Sequence, residues 1–256
     1  MKLLNSAAVS LALLASPVTA KTSSQPVANV AAAVAAPGRS ADNLKLDESR
    51  KPAEVLRFLA LRSGMKVLDP FGLNKYWAEI TAPVVGPKGH VTVWEPTQFL
   101  KDQAKKKSFD EFAAKQTNVS LISSPFEAPN LPANAYDFAL INLDYHDVYW
   151  TSEKYGIPKM DPDAWLKTLY AAMKPGATVG VIDHVANPNS DVRATVEKYH
   201  RIDPEVVKSD FKRAGFVLEG TSDILRNPAD DHSLLVFDPK IRGKTDRTIL
   251  KFKKPR

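Results

Sequence analysis

The sequence predicts a doubly wound α/β domain: a seven-stranded, mostly parallel sheet with an antiparallel pair of strands at one edge. Three observations carry this. Between residues 47 and 256, short apolar runs alternate with amphipathic stretches, the pattern of strand–helix–strand units whose helices cover both faces of a parallel sheet. The first two apolar runs end in an acid, Asp69 and then Glu95, and pass at once into turn residues. The last two runs have no helix between them, which suits antiparallel pairing at an edge.

The segment "DESRKPAEVLRFLAL" reads as an amphipathic helix, with Pro52 near its start and Val55, Leu56 and Leu59 on one buried face. "MKVLDPF" is the first strand, and "NKYWAEITAPVV" a helix that stops before "GPKG". "HVTVWEP" is the second strand, "TQFLKDQAKKKSFDEFAAKQT" a charged surface helix, and "NVSLISSP" the third strand. "AYDFALINLDYHD" supplies a fourth strand, "DPDAWLKTLYAAMKPG" a helix closed by Gly176, and "ATVGVIDH" a fifth strand. "DPEVVKSDFKRAG" is a further helix, followed by the strands "FVLEGTSDIL" and "TDRTILKFKKP".

Ahead of this domain, residues 1–20 read as a secretory signal peptide: Lys2, an apolar run from Ala7 to Ala15, and a small-residue cleavage site at Val18-Thr19-Ala20. The apolar run is shorter than the roughly 20 residues a membrane span needs, so no transmembrane span is expected after signal removal. Residues 21–46, rich in Ala, Val, Ser and Pro, read as a flexible linker, and the expected location is periplasmic or secreted. There are no cysteines, which excludes disulfides, thiol catalysis and cysteine-ligated metals. Much of the formal charge of +6 sits in "IRGKTDRTILKFKKPR", which is not an aromatic-interleaved patch of the single-strand-binding kind, so no nucleic-acid partner is expected. Neither a G-x-S-x-G elbow nor a G-x-x-x-x-G-K-[ST] loop is present.

Ligands of open parallel sheets bind beyond the carboxyl ends of the strands, near the point where strand order reverses. That rule directs attention to Asp69–Lys75, Glu95, Ser123–Glu127, Asn142–Asp147 and Asp183–His184. Histidines stand near acids in "DYHD", "DH", "HRID" and "DDH". The first two groups end neighbouring strands, so His146 and His184 are candidate catalytic bases, with Asp183 or Asp147 orienting an imidazole. Structural hydrogen bonding and a His/Asp metal site are the competing readings, although no spacing matches a known ligand motif. Tyr145, Tyr149, Trp150 and Tyr155 follow the fourth strand as candidate walls of an acceptor pocket.

From Asp47 to Pro255 the chain resembles the class I S-adenosylmethionine-dependent methyltransferases, whose sheet is Rossmann-like, and more narrowly a bacterial group of exported methyltransferase-like proteins. The resemblance rests on "RKPAEVLRFLAL", "NLDYHD", "MKPGATVGVIDH", "HRIDPEVV", "AGFVLEGTSDILRNPADDH" and "VFDPKIRGKTDRTILKFKKP". It implies S-adenosylmethionine as cofactor and a small-molecule acceptor. It places Asp69 and Gly72 at the cofactor turn, Glu95 against the ribose hydroxyls, Glu127 near the adenine amine, and Asn142 at the end of the fourth strand. Related proteins carry consecutive glycines after the first strand, where this chain has Leu73, Asn74 and Lys75. Three functions therefore stay open: an exported methyltransferase, a catalytically inactive binding protein that kept the fold, or a metal-assisted enzyme using the His/Asp pairs. The acceptor and the oligomeric state do not follow from the residues.

Overall fold

The computed structural model describes residues 29–188 and 191–256. The signal-peptide reading and residues 21–28 of the linker lie outside the described residues. Seven strands form one sheet: β1 (Lys66–Pro70), β2 (His90–Pro96), β3 (Val119–Ser124), β4 (Tyr136–Asn142), β5 (Met173–His184), β6 (Val217–Ser222) and β7 (Arg247–Lys253). Their spatial order is β3-β2-β1-β4-β5-β7-β6. β1 pairs in parallel with both β2 and β4, and β7 runs antiparallel to both β5 and β6. The doubly wound sheet and the antiparallel edge pair are thus as expected, with β7 inserted between β5 and the edge strand β6.

Nine helices surround the sheet among the described residues: α1 (Val30–Val34), α2 (Ala41–Leu44), α3 (Asp47–Arg50), α4 (Pro52–Phe58), α5 (Tyr76–Val85), α6 (Gln103–Ala113), α7 (Pro162–Ala172), α8 (Val192–Tyr199) and α9 (Pro204–Arg213). Successive strand residues point to opposite faces, and the central strands are apolar on both. Val67, Leu140 and Ile249 pack into one core with α1, α4 and α5. Their neighbours Leu68, Ile141 and Leu250 pack into a second core with α7 and α9. Gly180 on β5 is required by the first core, because a Cβ there would stand 2.4 Å from the Leu59 side chain.

Three expectations need correction. α7 ends at Ala172 and β5 begins at Met173, so Gly176 lies in the strand and does not close the helix. Residues 29–46 are not a free linker: Val30 and Ala33 of α1 are buried in the core, and Arg39 grips Asp47 at 2.6 and 2.8 Å. The folded body therefore begins at least at Asn29, ahead of the expected boundary at Asp47. The helix expected over 47–61 is two helices, α3 and α4, broken at Lys51 (φ 43°) immediately before Pro52. Proline disfavours helical backbone at the residue before it, so the chain turns there and restarts with Pro52 at the first helical position.

No helix among the described residues is long and apolar enough to cross a membrane. The stretch between β6 and β7, residues 223–246, is irregular but tightly tied. The fully buried Arg201 donates to the carbonyls of Leu234 and Val185 and to Asp230, while Arg226 and His232 both bind Asp246. This answers for the turn-rich "RNPADDH" and for Arg226, whose partner is Asp246.

Candidate functional site

Strand order reverses between β1 and β4, and an open cleft of about 810 Å³ lies beyond their carboxyl ends. Its floor is the turn after β1. Phe71 (φ 56°) and Lys75 (φ 67°) both adopt left-handed backbone and enclose a short 3₁₀ turn, Gly72–Asn74. Gly72 is needed there, since a Cβ would meet the Asp69 carboxylate at 2.6 Å. The three residues that replace the expected glycines each have a settled place. Leu73 is buried in the α5-side core and closes the cleft wall. Asn74 accepts the Tyr76 N–H through Oδ1 at 2.9 Å, starting α5. Lys75 turns away, donating to Ser108 Oγ at 2.8 Å. Trp77 is also packed in the core and lies outside the cleft lining.

Two acids face this turn. Glu95, ending β2, lines the cleft and accepts the Leu73 N–H at 3.1 Å. Burial pushes it up to about 7, although the Leu73 N–H and Lys105 pull the other way. Asp69 is more extreme: burial and the Glu95 charge push it up to about 8, against the pull of Arg50, and its Oδ2 is buried with no hydrogen-bond partner. Glu127 does not line the cleft; it is exposed and binds Gln98 Nε2 at 2.8 Å, and Gln98 is the residue that lines it. Asn142 pairs with Ile182 at the end of β4, and the lining begins one residue later at Leu143, whose φ of 68° re-aims the chain.

The opposite wall is built from the ends of β4 and β5. His146 is 3% exposed; its Nδ1 lies 2.7 Å from Asp183 Oδ1, and its backbone N–H donates to Asp183 Oδ2 at 2.9 Å. Burial works against the charged ring, but Asp183 and Asp147 outweigh it and raise His146 to about 9. Burial likewise opposes ionisation of Asp183, and His146 overcomes it, holding that acid below the usual carboxylate range. Burial and Asp147 push Asp144 well above its ordinary value. His184 also lines the cleft, bonded through Nδ1 to Thr245 Oγ1 at 2.7 Å. Burial drives it down to about 3 despite Asp183, so it stays neutral, a poorer base than its place at the end of β5 suggested.

His146, His184 and Asp183 therefore do converge. His200 joins them from the end of α8, its ring centroid 5.5 Å from that of His146. The sequence pairing of His200 with Asp203 is not realised, because Asp203 caps α9 and accepts the Glu205 N–H at 2.9 Å. Among the described residues, His146, Asp147 and His200 form a group whose ligand atoms all lie within 4.8 Å of one another. Trp150 and Tyr155 wall the cleft as anticipated, ring centroids 5.5 Å apart. Tyr145 and Tyr149 instead donate to the buried Asp210, at 2.7 and 2.6 Å. Phe237, from the irregular 223–246 stretch, completes the rim against His200; its sequence signal was only the short apolar run Leu234–Phe237 between polar stretches.

No protein-family model matches the chain. A curated relative, a demethylmenaquinone methyltransferase from Listeria monocytogenes serotype 4a (strain HCC23), is 27% identical over 139 residues. That match takes in 53% of this chain and 51% of the relative, so the chain spans about half the length of the curated relative. Among solved structures, a SAM-dependent methyltransferase from Aquifex aeolicus superposes with a TM-score of 0.57 at 18% identity, over 84% of this chain and 100% of the other. The Burkholderia thailandensis 1,6-didemethyltoxoflavin-N1-methyltransferase, solved with 1,6-didemethyltoxoflavin and S-adenosylhomocysteine bound, gives 0.52 at 13%, over 84% and 80%. The chain has the fold of class I S-adenosylmethionine-dependent methyltransferases.

Proposed function

We propose that the protein is an exported S-adenosylmethionine-dependent methyltransferase that acts on a small-molecule acceptor. The observation that carries this reading is the open cleft at the β1/β4 switch point, with Glu95 on its wall, Leu73 packed into the core where it forms part of that wall, and Lys75 turned away. Lys75, the residue whose charge would repel a sulfonium, bonds Ser108 instead. Glu95 keeps one oxygen unclaimed by Leu73 for a ribose hydroxyl. The Burkholderia thailandensis enzyme holds 1,6-didemethyltoxoflavin and S-adenosylhomocysteine together, which supports a division of this cleft into donor and acceptor halves.

The Gly72 turn and Glu95 would hold the donor, and His146, His184 and Trp150 would face the acceptor. Transfer forms a bond from the acceptor nucleophile to the methyl carbon as the carbon–sulfur bond breaks, leaving S-adenosylhomocysteine and releasing the acceptor's proton. Alignment of nucleophile, methyl and sulfur supplies most of the acceleration. In the metal-free protein His146, oriented by Asp183 and raised to about 9, offers Nε2 as a proton acceptor only once its ring has lost its proton, so this step strengthens as pH rises toward 9. Export rests on residues 1–20 of the sequence.

A second reading, a binding protein without activity, is favoured by the single glycine of the turn and by the Leu73 N–H occupying part of Glu95. Calorimetric titration with S-adenosylmethionine and S-adenosylhomocysteine tests the proposal. Saturable binding of both is expected, with Glu95→Ala weakening it about tenfold, as loss of a charge-assisted hydrogen bond requires. No heat and no melting shift at millimolar ligand would overturn it.

A further inference from the structure

One constellation in the acceptor half of the cleft has an unusual shape. Asp147 Oδ1 lies 3.3 Å from His146 Nε2 and 3.5 Å from His200 Nδ1. Neither contact has hydrogen-bond alignment, and that oxygen is buried without a hydrogen-bond partner. Two ligand atoms held ~2.1 Å from one ion at a tetrahedral angle stand about 3.4 Å apart. Both observed separations match that figure. We propose that His146 Nε2, the Asp147 carboxylate and His200 Nδ1 bind a divalent transition-metal ion of the zinc type, with its fourth position open to the cleft.

The surroundings of each ligand fit. His146 turns its other ring nitrogen to Asp183 at 2.7 Å, and Asp183 is itself fully buried and fixed by the His146 and His184 backbone N–H groups. A ligating imidazole commonly donates its second N–H to a carboxylate, which fixes the tautomer and leaves the lone pair free for the metal. His200 is held in left-handed backbone (φ 49°) by its N–H bond to the Val196 carbonyl. Its ring is flanked by Trp150 at 5.1 Å and Phe237 at 5.3 Å. Such backbone, uncommon outside glycine, is kept where the surroundings over-determine it, as at ligand clamps. Two imidazoles and one carboxylate suit zinc, whereas magnesium and calcium favour all-oxygen sets. With three protein ligands and all three residues on the cleft wall, the remaining position faces the acceptor.

The site needs neither methyl donor nor acceptor, so it stands apart from the methyltransferase reading. If both hold, His146 Nε2 is a ligand in the loaded protein, and the ion polarises an acceptor oxygen in its place. The test uses the full chain without a polyhistidine tag, stripped with chelator and titrated with Zn²⁺ calorimetrically and with Co²⁺ by visible absorption. One ion per chain is expected, with the intense bands of tetrahedral Co²⁺. His200→Asn should abolish saturable binding while keeping the native melting profile, because Asn tolerates left-handed backbone. Asp183→Asn should weaken Zn²⁺ binding by about 10–100-fold, and His90→Ala, on the far end of β2, should leave it unchanged. Absence of saturable binding in the stripped wild type, or a folded His200→Asn protein that binds Zn²⁺ as tightly as wild type, would overturn the site. A parallel S-adenosylmethionine titration of the same metal-free protein reports on the methyltransferase reading separately.

Discussion

At the scale of single residues, the Gly72 end of the cleft, the proposed donor end, is governed by two acids that hold protons abnormally late. Glu95 sits at about 7 and Asp69 at about 8, both raised by burial, with Glu95 adding to Asp69. A ribose diol donates hydrogen bonds, so the ionised Glu95 is the binding form. Affinity for S-adenosylmethionine should therefore rise as pH increases through about 7, and Glu95→Gln should flatten that rise, read by titration at several pH values. The same shifts act on stability with the opposite sense. Both folded-state values lie above the unfolded values near pH 4, so the folded state binds more protons between roughly pH 4 and 8. Their stabilisation is complete below about pH 4 and is lost as pH rises through 7 and 8. The ligand-free protein should lose more melting temperature between about pH 5 and pH 8.5 than Asp69→Asn does. Nothing in the residue string announces this, because it depends on an Asp69 oxygen left without a partner. The same holds for Lys75: its identity suggested interference with a cationic cofactor, and only its bond to Ser108 shows that it points elsewhere.

At the scale of elements, what the sequence made legible was whatever buries large apolar side chains at a fixed period. Strands β1, β2, β4, β5 and β7 and the amphipathic α5, α6, α7 and α9 were recognisable on that ground, and β3 and the largely exposed β6 from their apolar runs alone. α9 is the clearest case: Phe211 stacks on Phe252 of β7 with centroids 4.3 Å apart and planes at 14°, both side chains fully buried. Phe211→Ala should cost roughly 3–5 kcal/mol in chemical denaturation, the range for truncating a buried aromatic. The elements that escaped lacked that signal. α1 is built from Val and Ala only, a composition shared with flexible spacers, yet Val30 is 3% exposed in the core. Deleting residues 1–35 should consequently lower stability by roughly 2–3 kcal/mol, about the value of burying one Val with its small neighbours. A free spacer would give no change. α8 escaped because it is short and buries only Thr195 and Val196, and with it went the placement of His200.

At the scale of the whole molecule, the site exists only when distant parts of the chain are assembled. Glu95 comes from β2, Leu143 follows β4, His184 ends β5, His200 ends α8, and Phe237 belongs to the stretch tied down by the buried Arg201. Topology made the location of this assembly legible, since the switch between β1 and β4 follows from strand order. Its composition was only half legible, because His200 is placed by the short helix α8 and Phe237 by irregular backbone, and neither has a clear period to read. The assembly has a thermodynamic consequence. A ligand that touches several of these elements binds the folded chain and not the unfolded one, so it must raise the melting temperature. At a hundred times its dissociation constant a ligand adds about 2.7 kcal/mol, which for a chain of this size corresponds to a rise of about 5–10 °C. S-adenosylhomocysteine should produce that rise in wild type. Glu95→Ala should need about tenfold more ligand for the same shift, whereas His200→Asn, at the acceptor end, should shift like wild type. Equal loss of the shift in both variants would mean that the cleft is not divided into donor and acceptor halves, and the placement of the cofactor over the Gly72 turn would fall.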